Sequence, residues 1–337
     1  MKPILVLTTG GTIGSTLHNG IIHTNANYCR AIELYYERYG ADISFEIVNL
    51  MNILSENLQK HHWEMMINAI LQLNLSRYSG IIITHGSDTL SYTSSMLGLV
   101  LCSLPIPVVL TASDLVPDHP ESNAVCNIRA AVLLICTIKK GIYTVYRNPN
   151  QDDCTIYLAT RIHEADRFTG SFSTPFDIPL GKVTNDTIHF NNHQLIEKLS
   201  SHFQPYIPLS SPFTLSDDVM MLRPYPGLDY RSISIHHNCK AILHITYHSS
   251  SASSFTDNSA LYLLQSCLQK EIPLYLASFP NDKVDLYESS YTLIQHGAIP
   301  LHHLTDECAF AKLLLCMNYY PHRHTELMKR PWFFEYF

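Results

Sequence analysis

Three short apolar runs, each ending in small polar residues, constrain the fold of this chain more than any other feature. Residues 4–7 run into Thr-Thr-Gly-Gly, residues 80–84 into His-Gly-Ser-Asp-Thr, and residues 107–111 into Ala-Ser-Asp. Such runs are typical of strands that are buried on both faces of a parallel sheet. Because open α/β sheets bind ligands at the carboxyl ends of their strands, the sequence predicts a ligand site at that edge.

Apolar residues at helical spacing alternate with these runs. The predicted helices cover residues 26–39, 63–73, the stretch that ends near 101, and 128–138. Alternating strands and helices predict an α/β domain with a mostly parallel sheet.

The second half of the chain predicts a separate, smaller unit. Residues 191–217 are rich in His, Ser, Pro and Asn, as a linker would be. Short strands are predicted near 219–222, 241–246, 273–277 and 299–301, with helices near 259–268 and 308–317. We therefore expect a two-domain α/β protein, with an N-terminal domain over 1–190 that carries most of the site, a linker over 191–217 and a C-terminal α/β domain over 218–337.

Composition narrows the classes of partner. Charged residues make up 15% of the chain, against about 25% in an average soluble protein, which favours an oligomer with neutral buried faces. The net charge is -7 and no basic stripe is present, so nucleic acid is not an expected partner. The longest apolar stretch, 96–112, is interrupted by two prolines, and the start of the chain lacks a signal-peptide pattern. We expect a cytoplasmic protein without a membrane span.

Cysteine and histidine usage argues against a metal centre. The nine cysteines are scattered without a C-x-x-C pair, which predicts reduced, mostly buried thiols. Several of the 19 histidines are adjacent pairs, and neighbours in sequence do not share one face of a helix or strand. No metal and no organic cofactor are expected.

The turn after the first apolar run is the first candidate site. Thr9 and Thr12 place hydroxyl groups beside Gly10 and Gly11, whose amide N–H groups are able to stabilise an anion or oxyanion. A dinucleotide site is the alternative interpretation, but G-x-G-x-x-G would need a glycine at Thr9. A threonine nucleophile in turn needs another group to take its proton.

The turn after the second run is the other candidate. Ser87 and Asp88 follow Gly86 and offer a hydroxyl and a carboxylate at the same sheet edge. Asp88 is equally well explained as a helix N-cap.

Together, TGGTIG at 9–14 and ITHGSDTLSYT at 83–93 resemble the two signatures of the bacterial-type L-asparaginase family, and the remaining matches resemble its cytoplasmic type. The resemblance extends over nearly the whole chain, including SFSTP at 171–175 and RPYPG at 223–227. It implies a larger N-terminal sheet domain, a smaller C-terminal α/β domain, and a homodimer or homotetramer that acts on a small amino-acid substrate.

The resemblance also implies roles for single residues. Thr9 matches the nucleophile that attacks the substrate amide carbon, and Thr12 matches a supporting hydroxyl. Ser87 and Asp88 match a pair in which the hydroxyl assists proton movement and the carboxylate binds the substrate's α-ammonium group.

Further positions match the substrate-binding loops. Ser55 and Glu56 match residues that bind the α-carboxylate and α-amine, and Gly86 supplies backbone to the substrate. The ordinary alternative for Ser55 and Glu56 is a polar surface loop.

Three positions depart from the family pattern. Ile21 stands where the family has a tyrosine that helps to activate the threonine. One activating hydrogen bond is therefore missing unless Tyr28 or His23 supplies it. The family lysine after Arg161 is replaced by His163 or Glu164, depending on the alignment. Glu56 adds a carboxylate where the family has an uncharged residue.

Three functional hypotheses follow. The first is hydrolysis of L-asparagine to aspartate and ammonia. The second is a binding or regulatory protein that kept the cleft but lost turnover, motivated by the missing tyrosine and lysine. The third is hydrolysis of a different amide or ester, motivated by Glu56.

Overall fold

A computed structural model gives the fold of the chain. The structure describes residues 2–18, 21–24, 29–201, 204–209, 212–279 and 285–337, and the side chains of 16–18 and 21–24 are left out. The chain divides into two compact units, Met1–Thr214 and Leu215–Phe337.

The N-terminal unit is built on one large sheet. Its described residues form an eight-stranded sheet with the order β10-β9-β8-β7-β6-β5-β1-β4. A separate two-stranded antiparallel hairpin, β2–β3, follows the first strand. The strands are β1 (Ile4–Gly10), β2 (Ser15–His18), β3 (Ile21–Thr24), β4 (Phe45–Ile53), β5 (Gly80–Thr84), β6 (Pro107–Thr111), β7 (Gly141–Tyr146), β8 (Cys154–Leu158), β9 (Gly181–Thr184) and β10 (Thr187–Phe190).

The part of the sheet that carries the motifs is parallel. β7, β6, β5, β1 and β4 run parallel to one another, whereas β8, β9 and β10 continue the sheet in antiparallel fashion. Leu7 of β1 is paired with Val48 of β4 on one side and Ile83 of β5 on the other. Every residue of β5 and β6 is buried. The carboxyl ends of β4, β1, β5 and β6 therefore lie side by side at one edge.

Helices cover this sheet. α1 packs on α4 and α2 packs on α3, while α3 and α4 both contact β6 and β7. α3 is apolar nearly all round and is buried along almost its whole length, which explains its weak amphipathic pattern. The helices are α1 (Arg30–Tyr39), α2 (Lys60–Leu71), α3 (Leu90–Leu101), α4 (Ala124–Thr137) and α5 (His193–Leu199).

The C-terminal unit has its own parallel sheet, in the order β11-β12-β13-β14. α8 packs on β11, β12 and β13, and α6 packs on α7. The buried apolar cluster includes Ile242 of β12, Leu264 of α6 and Leu276 of β13. The elements are β11 (Asp218–Leu222), β12 (Cys239–Ile245), α6 (Ala260–Gln269), β13 (Leu274–Phe279), α7 (Glu288–Gln295), β14 (Ile299–His302), α8 (Asp306–Tyr319) and α9 (His324–Leu327).

The predicted fold class is confirmed: a large, mostly parallel sheet and a smaller second sheet, each with helices packed on it. β5 and β6 have the bounds that their apolar runs predict. β4 was not predicted, because most of its residues are partly or fully exposed and it has no buried apolar run. The segment predicted as a linker contains α5, which begins at His193.

Among the residues that the structure describes, none of the helices combines the length and the apolar character that crossing a bilayer requires. Seven of the nine cysteines are buried and none is in a disulfide.

Candidate functional site

Thr9 lies buried at the end of β1. The residue is 2% exposed. Its hydroxyl donates a hydrogen bond of 2.8 Å to the carbonyl oxygen of Thr84 in β5. The neighbouring Thr8 points elsewhere, and its hydroxyl donates to the Oδ1 atom of Asn49 at 2.9 Å. The two adjacent threonines therefore have different surroundings, and Thr9 is the one turned towards the second motif.

Gly10 and Gly11 are required by the close approach of three chain segments. Their φ angles are +106° and +78°, a region that L side chains rarely adopt. A Cβ atom on Gly10 would lie 2.3 Å from the carbonyl oxygen of Ile53, at the end of β4. A Cβ atom on Gly11 would lie 2.6 Å from the Cα atom of Gly86. The glycines thus let the first motif contact β4 on one side and the second motif on the other.

Ser55 joins the same cluster from a helical turn that follows β4. It is buried, and a Cβ atom on Gly86 would lie 2.4 Å from its hydroxyl oxygen. The Ser55 hydroxyl donates to the Oδ2 atom of Asp88 at 3.3 Å, and the Thr89 hydroxyl donates to the Ser55 carbonyl at 2.9 Å. Loops that are distant in sequence thereby meet at the carboxylate of Asp88.

His85 supports this arrangement from inside the protein. Trp63 Nε1, which can only donate, bonds to the Thr93 hydroxyl at 3.0 Å, and that oxygen lies 3.0 Å from His85 Nε2. The Gly86 carbonyl can only accept, so the proton of the neutral His85 ring is on Nδ1, which donates to that carbonyl at 2.8 Å. Nε2 is then an acceptor, and the Thr93 hydroxyl donates to it. Burial lowers the pKa of His85 to about 4, which keeps the ring neutral near pH 7.

An open cleft of about 520 Å³ lies beside the second motif. Among the described residues that line it, four have acidic side chains and one has a basic side chain. Thr9 is buried and is not among these lining residues. The lining consists of Ser87, Asp88, Asp114, Tyr146, Glu164, Ala165, Asp166, Arg167 and Gly170.

Asp114 and Tyr146 are lining residues to which sequence reasoning assigned no role. Asp114 follows β6, and its Oδ1 atom accepts from the backbone N–H groups of Leu115 and Asn123 at 2.8 and 3.2 Å. Tyr146 ends β7, and burial raises its pKa to about 12, so it remains a neutral hydroxyl at pH 7. The Ala-Ser-Asp turn after the third apolar run was a usable signal for Asp114. Tyr146 gave no comparable signal, because its strand was not recognised.

Glu164, rather than His163, faces the cleft. Glu164 is one of the lining residues and accepts from the Tyr92 hydroxyl at 3.5 Å, the outer limit for such a bond. The backbone N–H of His163 donates to the Ser173 carbonyl at 2.9 Å, and His163 does not line the cleft. Of the two residues that could stand for the family lysine, Glu164 is therefore the one that lines the cleft.

The remaining predicted residues are less closely engaged. Thr12 begins a short helical turn and is partly exposed, and Glu56 is exposed on the turn that contains Ser55. Within the described residues neither has a hydrogen bond to Ser55, Gly86 or Asp88. The Ile21 and His23 side chains and Tyr28 lie outside what the structure describes.

The chemistry of the site is that of hydroxyls, carboxylates and backbone amides. Within the described residues there is no group of three or more His, Cys, Asp or Glu side chains arranged to hold a metal ion. A buried threonine hydroxyl beside a glycine turn, next to a serine–aspartate pair, is suited to nucleophilic attack on an acyl carbon.

Fold and site together define an α/β protein of the amidohydrolase type. Residues 3–196 match the family model "Asparaginase, N-terminal", which covers more than half of the chain. The chain therefore belongs to the asparaginase family.

Individual relatives agree on the family and differ in name. The L-asparaginase of Thermococcus kodakarensis superposes with a TM-score of 0.77 over 99% of both chains at 25% identity. L-asparaginase I of Vibrio cholerae has the same TM-score of 0.77 at 20% identity, over 100% of this chain and 99% of that chain, which shows the fold alone. A relative in Methanosphaera stadtmanae, named as a subunit of glutamyl-tRNA(Gln) amidotransferase, is 28% identical over 93% of this chain and 71% of its own length.

Proposed function

We propose that this protein is a cytoplasmic-type (type I) L-asparaginase, which hydrolyses the side-chain amide of L-asparagine to L-aspartate and ammonia with Thr9 as the nucleophile. The observation that carries the proposal is the meeting of Thr9, the Gly10–Gly11 turn and the Ser55–Asp88 pair at the carboxyl ends of β1, β4 and β5. Family membership supports the same reaction type.

In the proposed reaction, the Thr9 oxygen attacks the amide carbon, the carbon–nitrogen bond breaks, and ammonia leaves. Water then hydrolyses the resulting threonine ester and releases aspartate. The backbone N–H groups of the glycine turn are the donors available to the oxyanion at each step. Thr12 contributes a second hydroxyl at the same turn.

Proton removal from Thr9 is the demanding step. Its hydroxyl hydrogen points to the Thr84 carbonyl at 2.8 Å, and an amide carbonyl is too weak a base to take that proton. The hydroxyl must turn towards a better acceptor when the substrate binds. Ser87 and the carboxylates of Asp88 and Glu164 line the cleft beside the second motif, and they are proposed to pass the proton on.

Asp88 is proposed to bind the substrate's α-ammonium group. Its carboxylate lines the cleft and is oriented by the Ser55 hydroxyl. A carboxylate that accepts from an ammonium group makes one of the stronger hydrogen bonds found in proteins.

The direct test is ammonia release from L-asparagine and L-glutamine by the purified protein between pH 6 and 9. Thr9→Ala should lose the activity. Thr8→Ala is the matched control, since Thr8 is the adjacent threonine and its hydroxyl bonds to Asn49 instead. Equal loss in both variants, or activity that survives Thr9→Ala, would remove Thr9 as the nucleophile.

A binding or regulatory role is the alternative, and two observations favour it. Thr9 is 2% exposed with its hydroxyl bonded to a backbone carbonyl, and Glu164, one of the two candidates for the position of the family lysine, lines the cleft. Calorimetric titration with L-asparagine discriminates the two roles. Saturable binding without ammonia release would support the alternative, whereas turnover would reject it.

The names of the relatives favour a second enzymatic context, in which the chain releases ammonia as one component of an amidotransferase. The net charge of -7 gives this chain little affinity of its own for nucleic acid. Turnover of L-asparagine by the isolated chain would favour a self-sufficient asparaginase. Activity that appears only with a partner protein would favour the amidotransferase role.

The proposed asparaginase is cytoplasmic and forms a homodimer or homotetramer. Low charge content supports subunit association. Light scattering coupled to size-exclusion chromatography tests the assembly, and a monomer at micromolar concentration would contradict it.

A further inference from the structure

Two cysteines from distant parts of the sequence lie side by side in the N-terminal unit. Cys126 is in the first turn of α4, and Cys154 begins β8. The Cys126 thiol donates to the Asn123 carbonyl at 3.0 Å, and the Cys154 thiol donates to the Cys126 carbonyl at 3.6 Å. Both sulfur atoms also approach the Oδ1 atom of Asn127, at 3.9 Å from Cys126 and 3.6 Å from Cys154. The two thiols therefore form a close pair around one acceptor.

The two thiols differ in access and in acidity. Cys126 is partly exposed, whereas Cys154 is 5% exposed. The pKa of Cys126 is lowered, first by the neighbouring Cys154 side chain and then by the positive charges of Arg147 and Arg38, against burial and the charge of Asp114. The pKa of Cys154 is raised by the neighbouring Cys126 side chain and by burial. Cys126 thus ionises first, and the thiolate is the reactive form of cysteine.

We propose that Cys126 and Cys154 are an oxidation site, at which a hydroperoxide converts the two thiols to a disulfide between α4 and β8. The Cys126 sulfur attacks one peroxide oxygen, so that a sulfur–oxygen bond forms and the oxygen–oxygen bond breaks. The departing oxygen takes up a proton. One hydroperoxide is reduced and Cys126 becomes a sulfenic acid.

Cys154 completes the reaction. Its sulfur attacks the Cys126 sulfur, the sulfur–oxygen bond breaks, and the hydroxyl leaves as water with the Cys154 proton. Once Cys126 is a sulfenic acid, it is no longer the negative neighbour that holds the Cys154 proton in place. The buried thiol therefore becomes able to resolve the intermediate.

The location of the pair links oxidation to the cleft. The Asn127 Nδ2 atom donates to the Ala112 carbonyl at 2.9 Å, and its Oδ1 atom accepts from the Arg147 N–H at 2.8 Å. Asp114 and Tyr146 both line the cleft. Ala112 stands two residues before Asp114, and Arg147 directly follows Tyr146. A disulfide between the thiols that share Asn127 alters the support of that wall.

The test uses the full chain treated with hydrogen peroxide, followed by thiol counting, intact mass measurement and peptide mapping. The expected result is the loss of two of the nine thiols and of two hydrogens in mass, with Cys126 and Cys154 in one linked peptide. Reduction with dithiothreitol should restore both. Absence of the linked peptide while other cysteines oxidise would overturn the proposal.

Variants identify the role of each thiol. Cys154→Ser should stop at the Cys126 sulfenic acid, which dimedone traps, and Cys126→Ser should abolish both products. Cys136→Ser, which removes an exposed cysteine of the same helix, is the matched control and should leave the linked peptide unchanged. Dimedone labelling of Cys136 in preference to Cys126 would contradict the assignment. Mapping of the unsubstituted chain decides the matter even if a variant fails to fold, and none of these readouts requires amidohydrolase activity.

Discussion

Gly11 and Gly86, from the two sequence motifs, are in direct backbone contact: a Cβ atom on Gly11 would lie 2.6 Å from both the Cα and the N atom of Gly86. Gly86 in turn has Ser55 against it, so that a Cβ there would lie 2.4 Å from the Ser55 hydroxyl oxygen. The motifs therefore contain glycine because backbone meets backbone at the site.

Gly11→Ala should destabilise the protein strongly, and Gly40→Ala provides a matched control. The two glycines have nearly the same backbone angles, φ 78° and ψ 174° for Gly11 and φ 79° and ψ -173° for Gly40. No atom lies within 4 Å of a Cβ on Gly40. Gly40→Ala should cost about 1–3 kcal/mol for the strained angles alone. Gly11→Ala should cost more than about 4 kcal/mol, because the backbone of the second motif must also move.

Urea denaturation of both variants measures the difference. Similar losses of stability would show that the backbone angle, and not the contact with Gly86, determines the need for glycine at position 11.

Stability should fall as the pH decreases through the range in which the unfolded chain protonates His85. The pKa of His85 is about 4 in the folded protein, against 6.5 for an unperturbed histidine. Between these values the unfolded chain binds a proton that the folded protein does not, so the full contribution is present above about pH 6.5. It is lost progressively down to about pH 4, for a total of about 3 kcal/mol.

His85→Gln should flatten this pH dependence in the N-terminal unit, as measured by urea denaturation at pH 7.5 and pH 5. The exposed His193→Gln is the control and should leave the dependence unchanged. Trp63 fluorescence reports on the relevant region, because its indole is bonded to the same Thr93 hydroxyl. An unchanged slope in His85→Gln would mean that another group causes the acid sensitivity.

His244, whose pKa is also lowered to about 4 by burial, adds a similar dependence of stability on pH in the C-terminal unit.

Lys312→Met should destabilise the C-terminal unit by about 3–5 kcal/mol, because it leaves a buried carboxylate without its cation. Lys312 and Glu335 are both fully buried, and their charged atoms are 2.7 Å apart. Glu335 also accepts from the backbone N–H groups of Trp332 and Phe333. Thermal denaturation measures the loss. Arg323→Met, which breaks an exposed pair with Glu326, should change the midpoint little.

Ser55→Ala should raise the KM for L-asparagine by about tenfold if the proposed reaction holds, since Asp88 loses the hydroxyl that orients it. Glu56→Gln should have a smaller effect, because Glu56 is exposed and has no hydrogen bond to Asp88. Steady-state kinetics with L-asparagine compares the two variants. A larger effect of Glu56→Gln on the KM would show that the substrate contacts Glu56 rather than the Ser55–Asp88 pair.

Glu164→Lys should raise the rate of ammonia release by about tenfold or more, because it places the family's cationic side chain in the cleft. His163→Lys is the matched comparison at the neighbouring position, which does not line the cleft. A gain in His163→Lys alone would show that this residue, and not Glu164, occupies the lysine position during turnover.

The sequence predicted the parts of the protein that depend on local pattern. Continuous apolar runs gave β5 and β6 with their observed bounds, because a strand buried on both faces needs apolar side chains throughout. The pattern failed for β4, whose side chains are largely exposed although its backbone completes the parallel sheet beside β1. Strands β7 to β10 were not predicted either, although β7 and β8 are buried along their whole length, as β5 and β6 are.

For the site, the motifs determined by themselves which residues carry hydroxyls, carboxylates and flexible backbone, because these properties belong to the residue types. Only the tertiary structure decided that Ser55 orients Asp88, that Glu164 and not His163 faces the cleft, and that Asp114 and Tyr146 belong to its wall. The burial of Thr9 is also a property of the fold. These relationships depend on the parallel register that aligns the ends of β4, β1, β5 and β6, and no single segment of the sequence contains that register.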